Sequence, residues 1–523
     1  MEQIRKYGQF EYRYLVDKSE SDSLSLTYPA AVFSKDNRKL EVSAFRSNDS
    51  EYTVRFMPDE EGIWTYSVKG CDGRLVNVGT LECIPASDDN HGPVRVSQNR
   101  AGFVYADGKV FLPFGTTCYA WTNQTQELQD QTVATLGKSC CNKIRMLIFP
   151  KSMPYNNNEP EVFPFEKKQE DLEAEPYVSI WDVSRPVETF WSNLEHRIGQ
   201  LAELGIEADV ILFHPYDKWG FEDLTVEEAC EYIKYAAARL GSYHNVWWSL
   251  ANEHEMLFNY RRADWDTFGR TVKDNDPYGH LISVHNILIN YPKKDWMTHM
   301  SIQGGDFNRI CAFRHEYDMP VIFDEFGYEG NIEYNWGNLT GFEEVHRFWT
   351  VMLRGGYASH GETFHREDEV LWWSKGGRLY GDSEPRIAFL KELMTELNGI
   401  TPLPAVEYGM AKDPNAAIDA GMDARQVERE KRFAEVLDLL DMHGAIGFSG
   451  CADMVMQCDS YILQYFGENR PCVTHRTLPE GEWKAEIIDI WEMTRTISGE
   501  HLSGDVEIRL PAKQGIAVLY IRK

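Results

Sequence analysis

Eight short hydrophobic runs, separated by helix-like stretches, constrain the middle of this chain more than any other feature. They are Val110–Ala120, Cys141–Phe149, Ala208–His214, Val246–Ala251, Leu281–His285, Met300–Gln303, Val321–Asp324 and Tyr357–Thr363. Amphipathic segments lie between several of them, among them Val187–Leu204, Val226–Leu240 and Phe342–Arg354. Strands that alternate with helices read as repeated βα units around a parallel sheet. Eight such units predict an α/β fold, a (β/α)8 TIM barrel over residues 94–404. A doubly wound open sheet is the rival, but it would carry a glycine-rich phosphate loop after its first strand. None is present.

The flanks follow other rules. Residues 1–88 alternate in short stretches (Leu24–Tyr28, Leu40–Phe45, Tyr52–Phe56, Trp64–Val68) broken by turn-rich pieces, which predicts an N-terminal β-sandwich. Residues 86–93 read as a linker. Residues 405–523 begin with a charged helical stretch, Asp423–Met442, and continue in short β-like segments, a helical connector followed by a C-terminal β-sandwich. Within the barrel the connection 150–186 is unusually long, and a long βα loop suits a wall or lid over a cleft.

Charge narrows the partners. With 53 basic against 82 acidic residues, the net charge of −29 repels phosphate backbones and anionic lipid. Neither nucleic acid nor a membrane is an expected partner. The ten cysteines form no CxxC pair and no zinc-type cluster, so neither a metal nor another cofactor is expected. Unpaired thiols and a start without an apolar signal region point to the cytoplasm.

Chemistry enters at the strand ends, which in such a barrel face the active site. The fourth run ends Ala251-Asn252-Glu253 and the seventh ends Asp324-Glu325, each an apolar stretch that stops at a carboxylate. Glycoside cleavage requires two such groups, one to protonate the leaving oxygen and one to act at the anomeric carbon. A separation of about 5–5.5 Å implies retention and one of roughly 6.5–9.5 Å implies inversion. The amide of Asn252 suits a sugar 2-hydroxyl. Strand alternation turns Asp324 the other way, into a structural role.

Asn252-Glu253 and Glu325 resemble the pattern of the large retaining-glycosidase clan that includes endoglucanases and β-galactosidases. Three further stretches, Val54–Tyr66, Phe111–Trp121 and Gly376–Arg386, are similar to a bacterial glycosidase family. In that family an N-terminal sandwich precedes an apiosidase-like barrel and a small C-terminal β domain. The resemblance covers nearly the whole chain. It implies a retaining glycosidase with Glu253 as acid/base and Glu325 as nucleophile, and it implies that Arg145 keeps the nucleophile ionised. One departure stands out: the clan often has a Tyr after strand six, where this chain reads Ser301-Ile302-Gln303-Gly304-Gly305. Tyr291, Tyr328 or Gln303 would have to serve instead.

Around these, His214 and His285 end strands three and five, where imidazoles can bind sugar hydroxyls. Trp121, Trp372 and Trp373 follow strands one and eight and are suited to stacking on a sugar face, Trp373 the more so, with core packing the alternative for Trp372. Glu362 could bind hydroxyls and is the rival to Glu325. A metal-dependent barrel hydrolase would need an HxH after strand one, which ends Cys118-Tyr119-Ala120-Trp121. The non-enzymatic alternative is a carbohydrate-binding protein on the same scaffold. The expected substrate is a short plant- or microbe-derived oligosaccharide, attacked from its end.

Overall fold

In the computed structural model, the described residues are 1–16, 25–48, 50–168, 178–368, 370–398, 401–402, 421–442 and 454–523. The expected strand start at Leu24 and part of the 150–186 connection fall outside them, as does most of 403–453 apart from the helix Ala424–Met442. The chain is mixed α/β and divides into two compact units. One comprises residues 1–303 with 365–378, the other 304–364 with 379–523.

The central sheet has eight strands, labelled here β1 Phe114–Thr117, β2 Lys143–Leu147, β3 Glu207–Phe213, β4 Val246–Ala251, β5 Ile282–Ser283, β6 Met300–Gln303, β7 Val321–Glu325 and β8 Tyr357–His360. Their order is β5-β4-β3-β2-β1-β8-β7-β6. Pairing is parallel from β1 through β5 and again between β7 and β8. A parallel bridge from His285 to Ser301 continues the sheet from β5 towards β6, so it is barrel-like. Each of the eight expected runs overlaps one of these strands, although the first is interrupted and the strand in the fifth is only two residues long. Strands β2, β3 and β4 are buried at every position, and their charged members, Lys143 and Arg145 on β2 and Glu207 and Asp209 on β3, are buried with the apolar ones.

The helices between them start where capping chemistry allows. Helix Val226–Leu240 begins at a reciprocal cap of Thr225 and Glu228, and helix Gly341–Leu353 at one of Thr340 and Glu343. The helix expected over Val187–Leu204 forms as Glu188–Glu203.

Residues 2–84 form a seven-stranded sheet in the order Glu2–Arg5, Leu75–Ile84, Gly62–Lys69, Thr27–Lys35, Arg38–Asn48, Glu51–Phe56, Phe10–Leu15. Phe10 and Tyr14, at one end of that order, share a buried cluster with Leu81 and Cys83 near the other. In the second unit a six-stranded sheet joins Thr401–Pro402, Val455–Gln457, Tyr461–Tyr465, Ile516–Arg522, Trp483–Asp489 and Thr494–Leu502. Among the described residues no helix is long and apolar enough to cross a membrane.

Candidate active site

Glu253 is held in an unusual way. It follows β4 with φ 48° and ψ 56°, a left-handed backbone that a residue with a β-carbon adopts only where its surroundings enforce it. Immediately after it a single turn, His254–Met256, folds back, with the Met256 amide donating to the Glu253 carbonyl at 2.9 Å. The side chain is buried, and the Tyr216 hydroxyl donates to its Oε2. Backbone strain at the end of a buried strand, spent on aiming one carboxyl, fits a functional group better than a structural one.

Its neighbour Asn252 is fixed from two sides. Arg145 donates to Asn252 Oδ1 at 2.9 Å and the Tyr119 hydroxyl donates to the same oxygen at 2.9 Å. Arg145 also reaches the Tyr119 hydroxyl at 3.2 Å. With its oxygen committed, the amide group of Asn252 is left to donate. Thus Arg145, expected to serve the nucleophile, orients Asn252 within its own unit.

The expected sugar-binding residues divide. His214 has both ring nitrogens engaged: Nδ1 accepts from the Tyr216 amide at 3.2 Å, and Nε2 faces the Phe149 carbonyl at 3.3 Å. Burial pushes it down to about 3, the Lys151 charge acting the same way, so it is a neutral ring that props the Tyr216 loop. His285 is fully buried at the β5 bridge, its carbonyl accepting from the His254 amide at 3.0 Å. Gln303 ends β6, its amide donating to Asn286 Oδ1 at 3.1 Å. Trp121 is 0% exposed and packs as core. Trp373 is also buried, and the Lys151 ammonium lies 4.0 Å from its ring centre, which occupies a face a sugar would need. Two aromatic positions that read as sugar platforms are therefore interior; sequence order alone does not say which way a ring turns.

Three residues that sequence reasoning passed over belong to this site: Tyr119, Lys151 and Tyr216. The available signal was a lysine directly after the apolar run Met146-Leu147-Ile148-Phe149-Pro150.

Farther along the β3 connection, a cavity of about 510 Å³ is lined by Phe163, Trp181 and Trp219 with the acids Asp217, Glu222 and Asp223. Burial, with the charges of Asp217 and Asp223, pushes Glu222 up to about 7. The described part of the 150–186 connection forms one wall, through the hairpin of Phe165–Lys167 with Trp181–Pro186.

In the second unit, Glu325 closes β7. Burial pushes its carboxyl up to about 8, and the Tyr328 hydroxyl beside it works in the other direction. Of the tyrosines considered for the missing strand-six residue, Tyr328 is the one next to Glu325. Tyr291 instead donates to the Arg262 carbonyl at 2.7 Å. Asp324 is fully buried and accepts from the Ser359 hydroxyl at 2.7 Å, as its alternation predicts. Glu362 has both oxygens occupied, accepting from the Tyr380 amide at 2.7 Å and the Gly381 amide at 2.9 Å. That is the work of a loop anchor, not of a nucleophile.

Comparison with known proteins supplies the rest. Residues 97–382 match the model "Apiosidase-like, catalytic domain". Residues 3–70 and 451–520 match two domains of unknown function, DUF5060 and DUF5605. A Bacteroides vulgatus protein assigned as a glycoside hydrolase is 31% identical in sequence, with a TM-score of 0.82 and 100% of each chain covered. A family 5 glycoside hydrolase from the same organism is 14% identical, covers 83% of this chain and 93% of its own, and has a TM-score of 0.59, which shows a shared fold. No curated protein sequence matches significantly. Match and likeness agree over the catalytic region, and the chain belongs to the apiosidase-like family of glycoside hydrolases.

Proposed function

We propose that this glycoside hydrolase cleaves O-glycosidic bonds of short plant- or microbe-derived oligosaccharides with retention, through a (β/α)8 TIM barrel flanked by β-sandwich domains. Glu253 protonates the leaving oxygen while Glu325 attacks the anomeric carbon. Glu253, now a carboxylate, then takes a proton from the water that releases the sugar. The observation that carries this reading is the backbone of Glu253: a buried carboxyl, twisted into the left-handed region and gripped by Tyr216, beside an asparagine whose amide is reserved for donation. Glu325 at the end of β7 supplies the second carboxyl. The cytoplasm is the compartment we propose, supported by the free cysteines among the described residues.

The test is an assay of wild type beside Glu325→Gln on aryl glycosides and short oligosaccharides, with the first-formed anomer followed by NMR. Retained product from wild type, and a rate lower by several orders of magnitude in Glu325→Gln, is the expected result. Inverted product overturns the retaining mechanism. Equal turnover by the two proteins overturns the nucleophile assignment, and specific sugar binding without turnover favours the binding-protein alternative.

A further inference from the structure

The cavity beside the β3 connection lies wholly within the first unit. Its volume of about 510 Å³ falls in the range of small-molecule sites, which combine aromatic walls with a few placed polar groups. The walls hold one another. Trp181 stacks on Phe221 with ring centres 4.5 Å apart, and its indole donates to the Trp219 carbonyl at 2.7 Å. The Trp219 indole donates to Glu159 at 2.7 Å, and the Trp219 amide donates to Asp217 at 2.7 Å. Phe163 meets the half-buried Trp219 ring edge-on, with centres 6.0 Å apart. Lys218 lies 4.9 Å from the centre of that ring and is paired with Glu159 at 2.6 Å, so its charge is already matched.

The polar groups are less settled. Asp217 accepts from the Trp219 and Glu222 amides, at 2.7 and 2.9 Å, and Asp223 accepts from the Asn259 side chain at 2.6 Å. Glu222 is different. It is half-buried and repelled by both of those acids, and among the described residues its carboxyl has no hydrogen-bond or ion-pair partner. A carboxyl kept against such repulsion and left without a donor calls for one from outside the chain. Around the cavity Glu159, Asp217, Glu222 and Asp223 outnumber Lys167 and Lys218, which disfavours an anionic ligand. Among the described residues no three acids gather as a metal site requires. The ligand that fits is neutral, with an apolar face for the rings and hydroxyls for Glu222.

We propose that this cavity is a second sugar subsite, which binds a neutral pyranose of the substrate oligosaccharide between Trp219, Phe163 and the Glu222 carboxyl. The β3 connection links it to the chemistry. Tyr216, whose hydroxyl donates to Glu253 Oε2, directly precedes Asp217, and the three residues from Tyr216 to Trp219 span at most about 10 Å. In its place beside the reaction the proposal rests on Glu253 as the acid/base. A glycoside with a single sugar leaves this cavity empty, whereas a longer one gains binding energy there that raises kcat/KM. The site thereby favours oligosaccharides over simple glycosides, and neutral sugars over uronates.

The test watches the cavity directly. In protein labelled with nitrogen-15 at tryptophan, the Trp219 indole signal is assigned by its loss in Trp219→Phe. Cellobiose, mannobiose, xylobiose and maltose are titrated in as neutral probes, with digalacturonic acid and calcium chloride as controls. A saturable shift of the Trp219 signal with a neutral disaccharide, and none with either control, is the expected result. Glu222→Ala should weaken that binding about tenfold or more, the loss of a central polar contact. Because Glu222 is repelled by its neighbours, its removal should leave the urea midpoint undiminished, so the variant reports on binding and not on folding. In the same variant kcat/KM on an oligosaccharide, divided by kcat/KM on an aryl monoglycoside, should fall by a similar factor. A Trp219 signal unmoved by every neutral probe overturns the proposal, as does an equal response to digalacturonic acid or calcium, or unweakened binding in Glu222→Ala. A sugar-dependent shift with an unchanged kinetic ratio overturns the link to catalysis. Equal turnover by Glu325→Gln would refute the mechanism proposed above and leave the NMR result standing.

Discussion

At the scale of single residues, the two carboxyls carry the most demanding requirement. The nucleophile proposed above must be ionised, yet burial pushes Glu325 up to about 8, with Tyr328 opposing. The sign follows directly: the free enzyme holds Glu325 protonated below that value, and kcat/KM should rise with pH through a limb centred near 8. A positive anomeric carbon in the transition state favours the ionised form, so the limb in kcat alone should lie at lower pH. The same shift acts on stability. The folded state holds this proton more tightly than the unfolded chain, so its contribution is fully present below the ordinary glutamate range and is lost as pH rises through the folded value. Urea titrations at increasing pH should therefore show wild type losing stability relative to Glu325→Gln between roughly pH 4.5 and 8. A kcat/KM flat from pH 5 to 9 on about any good substrate would remove Glu325 from the chemistry.

Elements, rather than residues, explain the region around β8. Glu362 anchors the amides of Tyr380 and Gly381, and Glu329 anchors those of Asp382 and Ser383, at the entrance to helix Glu384–Glu396. A methyl group on Gly381 would lie 2.2 Å from Glu329 Oε2 and 2.8 Å from Glu362 Oε1, so this loop requires glycine. Here is the physical content of the Gly376–Arg386 stretch that resembles the family. Glu362→Ala leaves two amides without acceptors and should cost about 1–3 kcal/mol for each one that stays buried. It should leave the product anomer and the position of the pH limbs unchanged, which chemical denaturation and NMR can check together. The strands β4 and β7 were legible in the sequence because buried strands print as largely apolar runs, with Glu253 two residues past the end of β4 and Glu325 closing β7. The short β5 was legible only approximately, since Ile282–Ser283 is held by two residues of pairing. Lys151 and Tyr216 were not legible, because their meeting depends on the loops after β2 and β3 and no local pattern encodes it. Trp121 and Trp373 misled for the same reason: which side of a loop a ring faces is decided by packing.

At the scale of the first unit as a whole, the N-terminal sheet is bound to the barrel helices through charge as well as apolar contact. Arg55, on the strand Glu51–Phe56, reaches Glu195 of helix Glu188–Glu203 at 2.5 Å and Glu11 at 2.8 Å, and donates to the Arg239 carbonyl at 2.9 Å. Arg239, on helix Val226–Leu240, meets the same Glu195 at 2.5 Å and Glu188 at 2.7 Å. Glu195 is thus one buried carboxylate between two buried guanidiniums. Arg55 lies inside the Val54–Tyr66 stretch singled out by its resemblance to a known family, so that stretch includes a docking residue as well as a turn. Desolvation makes such a network a weak net contributor when intact, but removing the one carboxylate they share leaves each buried guanidinium with a single, more exposed partner, Arg55 with Glu11 and Arg239 with Glu188. Glu195→Ala should accordingly lose about 1–3 kcal/mol, read as a lowered urea midpoint. Arg55→Met leaves Glu195 still paired with Arg239, so it should lose less. If the sheet merely decorated the barrel, the two substitutions would be indistinguishable from surface changes, within about 0.5 kcal/mol of wild type. A loss in Glu195→Ala with unchanged kcat/KM at low temperature would show that the sheet braces the helices behind β3 and β4, the strands whose ends position Tyr216 and Glu253.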